Sequence, residues 1–263
     1  MTRKIFYILL GGAVSGVLLS LVCVNPIGGG ISLTEAVVQF SGARGPFPMN
    51  FIMLELLNFM IDLLPSFLFE MAAGIALYQH FCTASIYVFS RTPKRIRWYA
   101  KELSAIAGMS LLFQAVLLAA AFLVTAFRYE IQFTQKGAEL LLGHFVIYSL
   151  WIFSMAMLIN LLALFFGSSS AFIAVYSIQI CLILSFWFCH FFQDDIALTS
   201  RILRANPASR LVMGWMGRSE YGNLSIPGSI LLMGLIALGV SLAGGWIVKR
   251  KELLISNIET GGM

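Results

Sequence analysis

The sequence predicts an all-α polytopic membrane protein of six transmembrane helices, with both termini cytoplasmic. Three observations lead there. Hydrophobic residues fill 59% of the 263 positions and charged residues only 11%, with a mean hydropathy of +0.89, well outside the composition of soluble domains. Apolar runs long enough to cross a bilayer recur along the chain. The cations are distributed unevenly between the two sets of loops that six spans create.

The first span covers about residues 5–24. It follows Arg3 and Lys4, and its apolar run is too long for a signal-peptide core. The Leu21-Val22-Cys23 region also lacks the small residues a cleavage site needs, so the segment is read as a retained helix. Gly12 and Gly16, four apart, allow close helix approach in lipid. Residues 25–56 hold Pro26, Gly28-Gly29-Gly30, Gly45-Pro46 and Pro48 and read as a loop.

Residues 56–89 stay apolar for too long to be one perpendicular span. Either an interfacial helix ends before Pro65, or a span over 57–78 is followed by a short cytoplasmic helix, Gln79–Ser90. The second division is preferred because it keeps Gln79, His80 and Thr83 out of the hydrocarbon. It leaves Asp62 and Glu70 within the span, where a carboxylate is costly unless it meets protein or water. The remaining spans are placed at 103–127, 140–166, 171–192 and 226–248. A tight Gly167-Ser168-Ser169-Ser170 turn joins the fourth and fifth. Residues 193–225 form an extracellular interfacial or re-entrant segment, and the chain reads as one domain over 1–263.

The stretch Ser90–Glu102 is the most basic in the chain, with Arg91, Lys94, Arg95, Arg97 and Lys101. With Arg3, Lys4, Lys249, Arg250 and Lys251 it gives ten cations on the side of the termini. The other side carries seven in a longer length of loop: Arg44, Arg128, Lys136, Arg201, Arg204, Arg210 and Arg218. The first side is therefore assigned to the cytoplasm. The same cations account for membrane lipids as partners. No basic face with interleaved aromatics lies outside the spans, so nucleic acid is not expected.

No HExxH, GxSxG or phosphate-binding Gly-Lys motif occurs, so the chain is not expected to be an enzyme or to bind a cofactor by itself. Cys23, Cys82, Cys181 and Cys189 show no metal-ligand spacing; Cys23 and Cys189 both fall near one membrane face, where a disulfide could join them. No metal site is expected. The polar residues within the spans are Asp62, Glu70, Gln114, His144, Asn160, Gln179 and His190. Glu70 and Asn160 are the candidates for a substrate path, against the plainer reading of hydrogen bonds between helices. No gap in the apolar runs suggests a broken helix.

In the basic stretch, Pro93 ends the short helix, and Tyr87, Phe89, Trp98 and Tyr99 bracket the charges at interfacial depth. The run Tyr87-Val88-Phe89-Ser90-Arg91-Thr92-Pro93-Lys94-Arg95 through Lys101 resembles the coupling helix and following corner of the permease subunits of bacterial type-2 ATP-binding-cassette exporters, in particular small Gram-positive permeases of peptide-antibiotic export or immunity. Asn206-Pro207 and Lys249-Arg250-Lys251-Glu252 are weaker echoes of that family's outer re-entrant region and closing segment. Only four residues precede Ile5, where the family has a longer amphipathic helix.

The resemblance implies a permease in a bacterial plasma membrane that exports a peptide, antibiotic or lipid-like amphiphile. It implies a separate ATP-binding subunit carrying ATP and Mg, docked through His80, Tyr87, Arg91, Pro93, Lys94 and Arg95, and a second permease subunit, identical or not. The alternatives are an accessory or sensor membrane protein, a membrane enzyme, or a secondary carrier.

Overall fold

The computed structural model describes residues 2–26, 29–41, 52–87, 95–191, 196–219 and 222–250. Nine α-helices dominate these residues: α1 Thr2–Cys23, α2 Leu33–Phe40, α3 Ile52–Ala73, α4 Ala76–Tyr87, α5 Arg95–Arg128, α6 Gln135–Phe166, α7 Ser168–Phe191, α8 Ile196–Ala205 and α9 Ile226–Arg250. Six segments are long and apolar enough to cross a membrane, and the second of them runs through α3 into α4. The protein is thus a polytopic helical membrane protein.

Helix α6 is the hub. In its apolar window 72% of the residues are buried, against 17% in α9, and a helix apolar on every side is one that other helices surround. α5, α7 and α9 pack against it, while α1 lies along α5 in the most extensive helix pairing among the described residues. That pairing depends on small residues. A Cβ on Gly12 would stand 3.0 Å from the Phe113 carbonyl, and one on Gly16 would run into the Leu117 carbonyl. The Gly12/Gly16 face is therefore filled within the chain by α5.

At one end of the bundle the described parts of the connections pack into a cap. β1, Gly30–Ser32, follows α1, and β2, Glu130–Gln132, follows α5; they pair in parallel with Ile31 opposite Ile131. Residues 25–56, read from the sequence as loop, hold this strand and α2. Ser32 caps α2, its hydroxyl accepting from the Glu35 N–H at 3.1 Å, in a Ser-x-x-Glu arrangement. Thr134 caps α6 by accepting from Gly137 N–H, so α6 begins at Gln135 and not near residue 140. Gly167, at φ 81°, closes α6 before α7.

Between α7 and α9, amphipathic α8 leads into two 3-10 turns, Pro207–Leu211 and Met213–Trp215, both buried. At the opposite end, α5 starts at Arg95, so Arg95, Arg97 and Lys101 belong to its first turns and not to a loop ending at 102. Tyr99 fixes that end by donating its hydroxyl to the Ser241 carbonyl of α9 at 2.7 Å. None of the four cysteines is in a disulfide; Cys23 lies 3.5 Å from an Asp62 carboxylate oxygen and not in a bridge to Cys189.

Candidate functional site

Asp62, Ser66 and Glu70 follow one another at four-residue spacing along α3 and so share one face of that helix. The face turns towards α6 and α7, and together the three helices enclose a polar seam in an otherwise apolar interior. Pro65 sits inside α3 without ending it, although it cannot donate the usual hydrogen bond to the carbonyl four residues back.

At the cap end of the seam, Phe40, Ser41, Asp62, Leu63, His144, Tyr148 and Leu211 line a cavity of about 10 Å³, near the minimum for a single water. His144 is buried with Nδ1 unpartnered, and its ring lies 5.4 Å from that of Tyr148. The Tyr148 hydroxyl donates to the Asp62 carbonyl at 3.3 Å, tying α6 to α3. Deeper in, the Tyr176 hydroxyl ties α7 to the Phe67 carbonyl at 3.3 Å.

Glu70 is fully buried. Its Oε2 accepts from Gln179 Nε2 at 2.7 Å, whereas its Oε1 and the Gln179 Oε1 have no partner. One turn further, α3 ends and the chain turns at Gly74 and Ile75 before α4 begins. The length of the apolar run predicts a division, but after residue 78; the break falls instead at Gly74–Ile75, and α4 begins at Ala76 and not at Gln79. Gly74 N–H donates to the Glu70 carbonyl at 2.6 Å, and a Cβ on Gly74 would meet that carbonyl and the Ile159 side chain.

Asn160, also fully buried, closes the break. Its Oδ1 accepts from Tyr78 N–H at 3.1 Å, and its Nδ2 donates to the Ala73 carbonyl at 3.1 Å and to Ala156 of its own helix at 2.8 Å. One side chain thus serves the last turn of α3 and the first turn of α4, whose end groups lack partners within their helices. The structure brings Glu70 and Asn160 into one seam on either side of the turn.

The residues expected to couple to an ATPase lie around the end of α4 and the start of α5. Arg91, Pro93 and Lys94 lie outside the described residues, and Tyr87 is the last residue of α4. His80 is exposed, and its Nδ1 lies 2.9 Å from Glu102 Oε2, joining α4 to the first turns of α5. Arg95 opens α5. Phe81 and Trp98 pack with ring centroids 6.0 Å apart beside that link.

The cap has its own polar pins. Asn206 Oδ1 accepts from Ala208 N–H at 2.8 Å, and its Nδ2 donates to Leu182 O and Ser185 Oγ, each at 2.7 Å. Arg210 donates to the Arg204 carbonyl at 2.8 Å and to Ser229 Oγ at 3.3 Å. Burial, with Arg204 near it, holds the Arg210 guanidinium below the ordinary arginine value. Tyr148, Tyr176 and Ser66 were not singled out in the sequence; a hydroxyl amid an apolar run was the only signal they offered.

No protein-family model, no curated protein and no solved structure matches this chain. Among the described residues no group of three or more His, Cys, Asp or Glu is arranged to hold a metal ion.

Proposed function

We propose that the chain is the membrane-spanning permease subunit of an ATP-driven exporter. In this reading it pairs with a second permease subunit in a bacterial plasma membrane, and ATP and Mg are bound by a separate ATPase subunit. Its cargo is a peptide, antibiotic or lipid-like amphiphile.

One observation carries the reading: the short helix α4, set off from α3 by the Gly74–Ile75 turn, is cross-linked through His80 to Glu102 at the base of α5. The most basic stretch of the chain lies at that junction. On the charge distribution the junction faces the cytoplasm. Force applied to α4 there reaches α3 across the turn that Asn160 bridges, and reaches α5 through the His80–Glu102 contact. The same junction is where the sequence resembles a coupling helix.

The test is copurification from native membranes. A subunit that hydrolyses ATP is expected to accompany the wild-type chain and to be lost when Arg91, Lys94 and Arg95 are all changed to Glu. Full retention of that subunit by the triple variant defeats the docking site. Unimpaired transport in a strain without the ATPase defeats the reading itself.

A further inference from the structure

Glu70 Oε1 and Gln179 Oε1 are the two unpartnered oxygens of a single hydrogen-bonded pair, both fully enclosed between α3 and α7. An ionised carboxylate only accepts hydrogen bonds, and a carboxamide oxygen also only accepts. With Gln179 Nε2 already given to Glu70 Oε2, an ionised Glu70 leaves neighbouring acceptors with nothing to accept from. It also leaves a full charge in the middle of apolar helices, an expensive arrangement.

No Lys or Arg of the spans around Glu70 offsets that charge, and Arg210, in the 3-10 turn that packs against α7, is bound to the Arg204 carbonyl and Ser229 Oγ. α3 and α7 contain no Lys or Arg, α6 has only Lys136 in its first turn, and α5 carries no charged residue between 103 and 127. In α1 the cations Arg3 and Lys4 precede the apolar span. The titratable groups of the seam are the Tyr148 phenol and His144 imidazole of α6, the Tyr176 phenol of α7 and the Asp62 carboxyl of α3. The phenols and the carboxyl are neutral or negative, and the imidazole lies at the cap end beside Asp62 and Tyr148 and not at Glu70.

We propose that the Glu70–Gln179 pair is a proton-binding site. A proton from water bonds to Glu70 Oε1, the carboxylate charge disappears, and the new O–H donates to Gln179 Oε1. Acid and amide then close a ring of two hydrogen bonds, Nε2–H to Oε2 and Oε1–H to Oε1, that clamps α3 to α7. One proton supplies both missing partners at once. A metal cation would need several more oxygen ligands than this pair provides.

The site also has a mechanical setting. The Glu70 carbonyl holds the Gly74 N–H at the turn where α3 ends. Parting α3 from α7 would admit water to Glu70, free the proton and leave a solvated carboxylate, so the parted arrangement gains as pH rises.

Infrared spectroscopy of the full-length protein in lipid nanodiscs tests the site. At neutral pH the wild type should show the carbonyl stretch of a protonated carboxylic acid, shifting in heavy water. Glu70→Gln should lose that band and keep its melting temperature, since two carboxamides can close the same ring. Gln179→Leu should keep the band but move it to the higher frequency of a carboxyl without a hydrogen-bond partner. Absence of the band in the wild type overturns the proposal, as does its survival in Glu70→Gln. Should Glu70→Gln fail to fold, the Gln179→Leu spectrum decides, an unshifted band being fatal.

Discussion

Asn160 and Tyr78 are joined by a hydrogen bond of 3.1 Å from the Tyr78 backbone to the Asn160 carboxamide, across the point where α3 gives way to α4. Because the same side chain also serves Ala73, its removal takes a partner from the Tyr78 N–H and from the buried Ala73 carbonyl together. Asn160→Leu is expected to cost about 1–3 kcal/mol for the groups left unsatisfied. Thermal unfolding in detergent measures the cost, and a variant as stable as the wild type would show that the turn holds itself.

The contact of Gly16 with Leu117 makes a sharper steric prediction. A methyl group at Gly16 collides with the Leu117 carbonyl and crowds the Ala120 Cβ, 3.0 Å away, whereas one at Gly11 meets only a Phe113 ring atom at 3.9 Å. Gly16→Ala should therefore destabilise by about 1–3 kcal/mol, the usual cost of overfilling a packed interface. Gly11→Ala should be nearly silent. Equal stability of the two variants would mean that α1 does not lie on α5 as described.

These two sites also mark what sequence alone could and could not tell. The Gly12/Gly16 spacing announced a close helix contact, but spacing says nothing of whether the other helix is α5 or a second copy. The six spans were legible because apolar length is a direct demand of the bilayer. That the run 56–89 divides was legible from its length, but the place of the turn at Gly74–Ile75 was not, since apolar residues continue on both sides and its stabilising side chain lies 82 residues from Tyr78. Glu70 stood out as a carboxylate in a span, yet its partner Gln179 is 109 residues away, beyond any local pattern. α2 was missed because the glycines and prolines around it argued for loop, although the Ser32 cap on the Glu35 N–H lies within four residues of sequence. The tiny β1–β2 pairing joins segments too short to show alternation.

His80 Nδ1 and Glu102 Oε2 lie 2.9 Å apart, a hydrogen bond that becomes an ion pair when the imidazole is protonated. The His80 side chain is 52% exposed, and pairs open to water are worth little because solvent screens them. Glu102→Gln should change unfolding stability by less than about 1 kcal/mol. Under the permease reading it should nevertheless reduce transport or ATPase stimulation, since it loosens α4 from α5. Normal turnover in this variant would remove the ion pair from the force path.

Asn206 holds the cap to the bundle through three hydrogen bonds, one within its 3-10 turn and two to α7. Losing an N-terminal cap costs about 1 kcal/mol, and the exposed ends at Leu182 and Ser185 add to it. The damage should remain local, because the spans pack through α6 and not through this turn. Asn206→Ala is thus expected to raise proteolysis and hydrogen exchange across residues 196–215 while exchange in α5 and α6 stays as in the wild type. The hydrogen bond of Met213 N–H to Ser41 Oγ, 3.1 Å long, should carry the disturbance to the end of α2. Faster exchange there, without change at Asn160, would separate the cap from the seam as an independently opening unit; uniform acceleration through all six spans would refute that independence.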